Sequence, residues 1–188
     1  MLKEQPFIIE DGRDIRAIAT KRKTSIRVPV EMYEMPTLSL FLEEGESRFL
    51  YDNPFGPVGT YLWIKEQAVP YLPIWEWHET PEAYRCPEYV LYKSAWDDPT
   101  EIIWLPADTM PRWASSILLK IENIEIDYLQ NITYGDCIKE GLDMVSDVEY
   151  KPGWDISKFI NYWNSKYSDE SVVWEANPRV WIISFILI

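Results

Sequence analysis

Histidine and cysteine are scarce in this chain of 188 residues, with one histidine and two cysteines. Cys86 and Cys137 show no paired spacing. That excludes a disulfide framework and a cysteine zinc site, and it points to free thiols in a reducing compartment. His78 has Glu76, Glu79 and Cys86 nearby, but a single histidine falls far short of a tetrahedral set. It offers no spacing from which a Ser-His-Asp arrangement can be argued. No metal and no cofactor are expected. Glycine is sparse too, at seven, and none of the seven builds a phosphate-cradling loop. Long apolar runs are missing. Val180 to Ile188 is apolar throughout except for Ser184, yet it is far below the roughly 20 residues that a membrane span requires. Met1 to Pro6 carries no apolar signal-peptide core. The expectation is a cytoplasmic protein with no membrane association. Cations are under-represented: 18 Lys and Arg against 31 Asp and Glu, a net charge of −13. This argues against indiscriminate nucleic-acid binding, because phosphate affinity comes from Lys and Arg.

Apolar side chains are plentiful. Hydrophobic residues make up 47% of the chain and aromatics 15%, enough for one ordered domain over residues 1–188. Ten Trp and twelve Tyr read mostly as core. The charge is uneven: residues 1–29 hold seven basic and four acidic groups. A local basic patch on an acidic body suits a small or single ligand site better than a long phosphate track.

Periodicity gives a mixed, mainly β domain. Asp11-Gly12 caps a helix from about Arg13 to Lys21, with Ile15, Ile18 and Ala19 on one face. Thr24 to Val30 is extended, with Pro29 biasing Val28 toward β. Glu43 to Glu46 and Asp52 to Pro57 are turns around a short Phe49–Tyr51 segment. Tyr61 to Glu66 is a strand with Leu62 and Ile64 on one side. Residues 68–87 contain Pro70, Pro73, Pro81 and Pro87 mixed with Tyr71, Trp75, Trp77, His78 and Tyr84. Such a segment does not belong in a central sheet; it reads as an ordered insertion. Tyr89 to Lys93 and Ile102 to Leu105 are further strands around a turn at Asp97-Asp98-Pro99. Ile117 to Leu129 is a long half-buried strand. Thr133 caps a helix from Tyr134 to Glu140 that Gly141 stops. A second helix covers about Lys158 to Lys166, and Val180 to Leu187 is a strand buried on both faces.

Several blocks, taken in order, resemble one family. They are Arg16-Ala17-Ile18 with Arg22-Lys23-Thr24, Gly59 to Glu66, Met110 to Leu119, Leu129 to Thr133 with Glu140-Gly141, and Trp174 to Trp181. The set is similar to the ASCH-domain proteins carried by many bacteriophages and prophages. The resemblance implies an α+β, mainly β fold: a small PUA-like β-barrel flanked by short helices, here with the 68–87 insertion lying over it. It implies RNA or a modified nucleoside as the ligand, held in a cleft beside the first helix. For a phage-borne protein the compartment would be the host bacterium's cytoplasm.

The family's first helix ends in Gly-x-Lys-x-x-(Glu or Thr)-x-Arg. One bacterial branch, which deacetylates N4-acetylcytidine, uses that Lys, the Thr three residues on and a Glu from the helix after the long strand. In this chain the Lys is Lys23 and the Glu is Glu140. The Thr position is Ile26, the Gly position is Lys21 and the final Arg position is Val28. Ser25 shares the strand face of Lys23 and is the replacement hydroxyl, so Lys23, Ser25 and Glu140 are the candidate catalytic set. The candidate ligand-binding residues are Arg22, Lys23, Thr24, Arg27, Arg112 and Trp113, which supply charge and a stacking surface. Asn177 suits a turn into the last strand. The expected activity is binding of RNA or a modified nucleoside. The alternatives are an amidohydrolase on N4-acylated cytidine or a ribonuclease, and an acidic interaction protein that occupies a host nucleic-acid-binding or defence protein through Glu43–Glu46, Asp97–Glu101 and Glu122–Asp127. Lys23→Ala is expected to abolish binding and leave the domain folded.

Overall fold

Local chemistry sets the first turn of the fold. The Asp11 side chain accepts from the Arg13 N–H and starts α1 (Gly12–Ala19), which buries Asp14, Ile15, Ala17 and Ile18. The helix stops two residues short of the expected Lys21 because Lys21 itself has φ 59°, in the left-handed region. That is the position where the family motif has glycine. A side chain there costs about 1–2 kcal/mol, so Lys21→Gly is expected to stabilise the domain by about 1 kcal/mol. Denaturant midpoints at equal m-value would show it; an unchanged midpoint contradicts the assignment.

The computed structural model describes residues 3–30, 53–70, 77–80, 82–96, 102–142 and 156–188. After β1 (Glu4–Ile8) and α1 come β2 (Ser25–Pro29), β3 (Tyr61–Lys65), β4 (Ala68–Pro70), β5 (Val90–Tyr92) and β6 (Leu118–Tyr128). The short α2 (Tyr134–Lys139), α3 (Ser157–Lys166) and β7 (Arg179–Leu187) complete the chain, with single 3-10 turns between several of these elements. Five strands make one sheet in the order β1-β3-β6-β7-β2, and β4 and β5 form a separate ribbon. The pair β1–β3 is parallel; β3–β6, β6–β7 and β7–β2 are antiparallel. The class is α+β and mainly β, as expected.

The expected barrel does not close by strand pairing among the described residues. Both edge strands carry a proline, Pro6 in β1 and Pro29 in β2, and proline cannot donate to a ladder. At the free edge of β2 the Tyr167 hydroxyl donates to the Arg27 carbonyl at 3.4 Å. Even so, the sheet curls around one core. Phe7 of β1, Ile26 and Val28 of β2, Leu62 and Ile64 of β3, Ile121 of β6 and Trp181, Ile183 and Phe185 of β7 belong to a single cluster. A cavity of about 540 Å³, lined by Phe7, Ile8, Ile9, Ile26, Val28 and Tyr167 among others, occupies the seam between the two edges.

A bulge keeps β6 in register with this core. Its pairing with β7 shifts between Ile121 and Asn123. Leu119 and Ile121 before the shift and Ile124 and Ile126 after it therefore all reach the same cluster, as an extra residue in one strand requires. Strand β7 serves two layers: Trp181, Ile183 and Phe185 face the first cluster. Val180 packs instead with Leu129, Ile132, Cys137, Phe159, Tyr162, Trp163 and Tyr167 beneath α2 and α3. Asn177 adopts φ 46°, and its side-chain oxygen accepts from the Gln130 N–H at 2.9 Å, which fixes the turn into β7.

The expected strand from Ile102 to Leu105 does not form; Leu105 makes only an isolated bridge to Ala68. Ile103 is exposed and Pro106 follows, so neither burial nor a donor supports a ladder. Strands β4 and β5 bracket most of the 68–87 insertion. Within it, residues 71–76 and 81 lie outside the described set, as do Glu43–Glu46, Phe49–Tyr51, Asp52 and Asp97–Glu101.

Glu66, just past β3, is buried. Burial pushes its carboxyl up, only partly opposed by hydrogen bonds from the Ser94 hydroxyl and N–H. The folded state thus holds the proton more tightly than the unfolded chain. Its stabilising contribution is complete below the unfolded value of 4.5 and is lost as pH rises through the folded value. Glu66→Gln keeps an acceptor for Ser94 without a charge. It is expected to raise the melting temperature at pH 7 and to lose that advantage near pH 4; equal melts at pH 7 would contradict the claim.

Candidate functional site

Residues far apart in sequence meet where α1 hands over to β2. Thr24 N–H donates to the Lys139 carbonyl at 2.8 Å, and Lys23 and Glu140 form an isolated antiparallel bridge. On the other side, Thr133 caps α2 in a capping box with Asp136. Gly141, at φ 80°, then turns the chain sharply after Glu140. A Cβ on Gly141 would lie 3.0 Å from both the Ala17 and Lys23 Cβ atoms, so this turn packs directly against α1. The backbone thus delivers Glu140 onto Lys23.

The side chains complete a buried ionic network. The Lys23 ammonium, with its side chain 0% exposed, donates to Glu140 Oε2 at 2.6 Å and to the Glu140 carbonyl at 3.0 Å. Asp14 Oδ1 lies 3.2 Å away, and the Tyr162 hydroxyl oxygen 3.4 Å. Four oxygens surround a group with three N–H bonds, so its donors are all engaged. Arg27 reaches Glu140 Oε1 at 3.0 Å through Nη1 and Asp136 Oδ2 at 3.3 Å through Nη2. Lys166 pairs with Asp14 at 3.0 Å, and the Tyr162 hydroxyl donates to both Asp14 oxygens at 2.8 and 2.9 Å. The resulting order is Lys166, Asp14, Lys23, Glu140, Arg27, Asp136, with charges alternating in sign. Burial alone would raise Asp14, but the charges of Lys23 and Lys166 and the Lys166 and Tyr162 hydrogen bonds outweigh it and hold this carboxyl below its ordinary range. Burial is the main cause that pushes the Tyr162 hydroxyl up, with the Asp14 and Glu140 charges adding to it.

Above this network lies a cleft of about 580 Å³. One wall is α1, through Arg13, Asp14 and Ala17; the other is α3, through Lys158, Asn161, Tyr162 and Ser165, which share a helical face at i, i+3, i+4 and i+7. Arg22, Glu140, Gly141 and Leu142 close one end. The cleft therefore lies beside the first helix, with α3 forming its opposite wall.

Of the candidate residues, Lys23 and Glu140 are brought together, with Arg27 beside them. Ser25 is buried on the Arg27 side of β2, but it makes no hydrogen bond to Lys23 or Glu140 in the described contacts. Ile26 turns the other way, into the main core. Arg22 lines the cleft. Thr24 is exposed and acts through its backbone: its N–H binds the Lys139 carbonyl, and its carbonyl accepts from Phe185. Arg112 and Trp113 are not part of the cleft lining. Arg112 pairs with Glu4 at 2.7 Å, and Trp113 stacks edge-on against Trp77 at 5.6 Å. Among the described residues, no three His, Cys, Asp or Glu gather as a metal site, and no helix is long and apolar enough to cross a membrane.

Asp14, Asn161, Tyr162 and Ser165 also line the cleft, although no sequence motif marks them. Asp14 did carry a signal: it precedes Ala17 and Ile18 by three and four residues and so falls on the buried helical face. Tyr162 lies on the buried side of α3, and its hydroxyl serves the ionic network.

No protein-family model matches this chain, and no curated protein matches it. Among solved structures it is similar to an Enterococcus faecalis V583 protein of the family DUF984, at 12% identity and TM-score 0.47, covering 100% of this chain and 82% of that one. It is also similar to an ASCH domain from Lactobacillus crispatus JV V101, at 9% identity and TM-score 0.43, covering 99% of this chain and 79% of that one.

Proposed function

We propose that the protein is a binding module that takes a nucleobase ligand, RNA or a modified nucleoside, in the cleft between α1, the Glu140–Leu142 turn and α3. The observation that carries this reading is the cleft itself, built directly over the Lys23–Glu140 pair. Its volume of about 580 Å³ lies in the range of small-molecule sites. Asn161 offers a donor and an acceptor on one amide, the pairing that reads a base edge. The ionic network beneath ties α1, β2, α2 and α3 together, so the walls are held before a ligand arrives. The likeness of the sequence blocks to phage-borne ASCH proteins points to the same ligand class.

Binding is favoured over hydrolysis by the chemistry of the floor. The Lys23 Nζ is enclosed by Glu140, Asp14 and Tyr162, and Lys23 is not among the residues that line the cleft. The side chain at the nucleophile position of the family motif, Ile26, is apolar and faces the core.

Asn161 is exposed on α3 and lines the cleft without joining the network. Asn161→Trp is therefore expected to fill the cleft and weaken binding of N4-acetylcytidine or a short RNA at least tenfold, with an unchanged melting temperature. Calorimetric titration beside a thermal melt measures both; undiminished binding by a folded variant would place the ligand elsewhere.

A further inference from the structure

Helices α2 and α3 cover only part of the outer face of the main sheet. Along β7 that face carries Val180, Ile182, Ser184, Ile186 and Ile188 in alternation. Val180 and Ile182 pack beneath the helices. Ile186 and Ile188 lie beyond them, 40% and 60% exposed. The pairing register carries this bare stretch across the sheet. Ile186 is opposite Lys120 of β6, and Lys120 is opposite Tyr61 of β3. Leu118, whose carbonyl accepts from the Ile188 N–H, is opposite Trp63. The intervening Leu62, Ile64, Leu119 and Phe185 belong to the core on the other side.

The two rings give the face its chemistry. Tyr61 and Trp63 are two residues apart on one strand, so they stand side by side about 7 Å apart. Both are half-buried. Among the described residues, neither the Tyr61 hydroxyl nor the Trp63 indole N–H has a hydrogen-bond partner, and neither ring packs on another ring. Lys120 makes no ion pair among the described residues. The Lys65 ammonium lies 5.5 Å from the Trp63 ring centroid and donates to the Asp108 carbonyl. Of the acids bordering the face, Glu4 is paired with Arg112 at 2.7 Å, and Glu122 stands at the bulge of β6.

A base offers a π-face to each ring, and an extended single strand can match the spacing of the rings with successive bases. We propose that the bare face of β3, β6 and β7 is a stacking platform for a single-stranded nucleic acid, with one base on Tyr61, the next on Trp63, and Lys65 and Lys120 toward the phosphates. The platform shares no residue with the cleft and does not depend on it. With two cations available, stacking supplies most of the affinity. The dependence on salt is shallow, a log–log slope of about −1.4 for two phosphates of a single strand. A chain at −13 can bind in this way without a long basic track.

The test uses unmodified strands of about eight nucleotides, one RNA and one DNA. They are titrated calorimetrically into the whole chain carrying Asn161→Trp, so that the cleft is filled and the outcome does not turn on it. Tyr61→Val and Trp63→Val, each added to that chain, are expected to weaken binding about tenfold, within the range for loss of one base–ring stack. Valine keeps the strand propensity and the apolar cover. Thermal melts check the fold, and if one variant does not fold the other decides alone. Tyr61→Phe and Trp63→Phe are expected to bind within about threefold of the parent. Equal binding of both strands supports a platform indifferent to the sugar, and binding of RNA alone supports one that also contacts the 2′-hydroxyl. Affinity that ignores loss of the rings overturns the platform. So do phenylalanine variants as weak as the valine ones, which would replace stacking with hydrogen bonding. Absence of binding by both strands also overturns it and leaves the face to a protein partner.

Discussion

Lys23→Ala should destabilise the domain by about 3–5 kcal/mol, the usual cost of removing one partner from a buried ion pair. The side chain is fully buried and touches Glu140 and Asp14 together. Its loss leaves Glu140 with Arg27 alone and Asp14 with Lys166 and Tyr162. The sequence by itself suggested a variant that stays folded and only loses ligand, because Lys23 read as a cation at the end of a helix. The structure changes that expectation: the lysine holds the joint between α1, β2 and α2. Denaturant unfolding measures the loss, and a shift under 1 kcal/mol would show that the network carries little of the stability. Acid adds a second signature. Asp14 sits below its unfolded value of 3.8, so the stability it contributes is present at neutral pH and is lost as pH falls through its folded value. Without Lys23 that loss should begin at a higher pH.

Trp181→Ala should cost about 3–5 kcal/mol, as large-to-small changes of buried aromatics do. Trp181 is 5% exposed and meets Phe55 edge-to-face at 6.0 Å. It lies in β7 between Val28 of β2 and Ile126 of β6 in the pairing register. The cavity left behind would lie in the core beside β2 and β6, both of which are held in register by their pairing with β7. A Tm within 2 °C of the parent would contradict this placement. The network and the core answer to different changes: Lys23→Ala should alter the pH profile of stability, whereas Trp181→Ala should lower stability evenly across pH.

Much of the fold was legible because its elements carry local signals. Asp11 and Thr133 act as helix caps, Leu62 and Ile64 alternate with Tyr61, Trp63 and Lys65, and the apolar run after Arg179 becomes the strand shared by two layers. The open seam was not legible, because Pro6 and Pro29 look the same whether they border a closed barrel or two edges. The Ile102–Leu105 segment misled because apolar composition says nothing of exposure, and Pro106 ends any ladder there. At the site, the joining of Lys23 to Glu140 was legible only through the resemblance; nothing local in either segment reports a partner so far along the chain. Arg27 was singled out as a ligand contact, yet it lies buried between Glu140 and Asp136. Arg112 and Trp113 drew notice as a cation beside an aromatic, a pattern that an exposed ion pair with Glu4 and a packed Trp77–Trp113 pair also satisfy.

Amide chemical-shift mapping of the folded chain, titrated with N4-acetylcytidine and with a short RNA, shows whether a ligand enters the cleft between α1 and α3. Saturable shifts are expected at Ala17, Gly141, Leu142, Asn161 and Ser165, which are among the residues that line the cleft. Shifts gathered instead around Trp77 and Trp113, or no shift with either ligand, would contradict that placement.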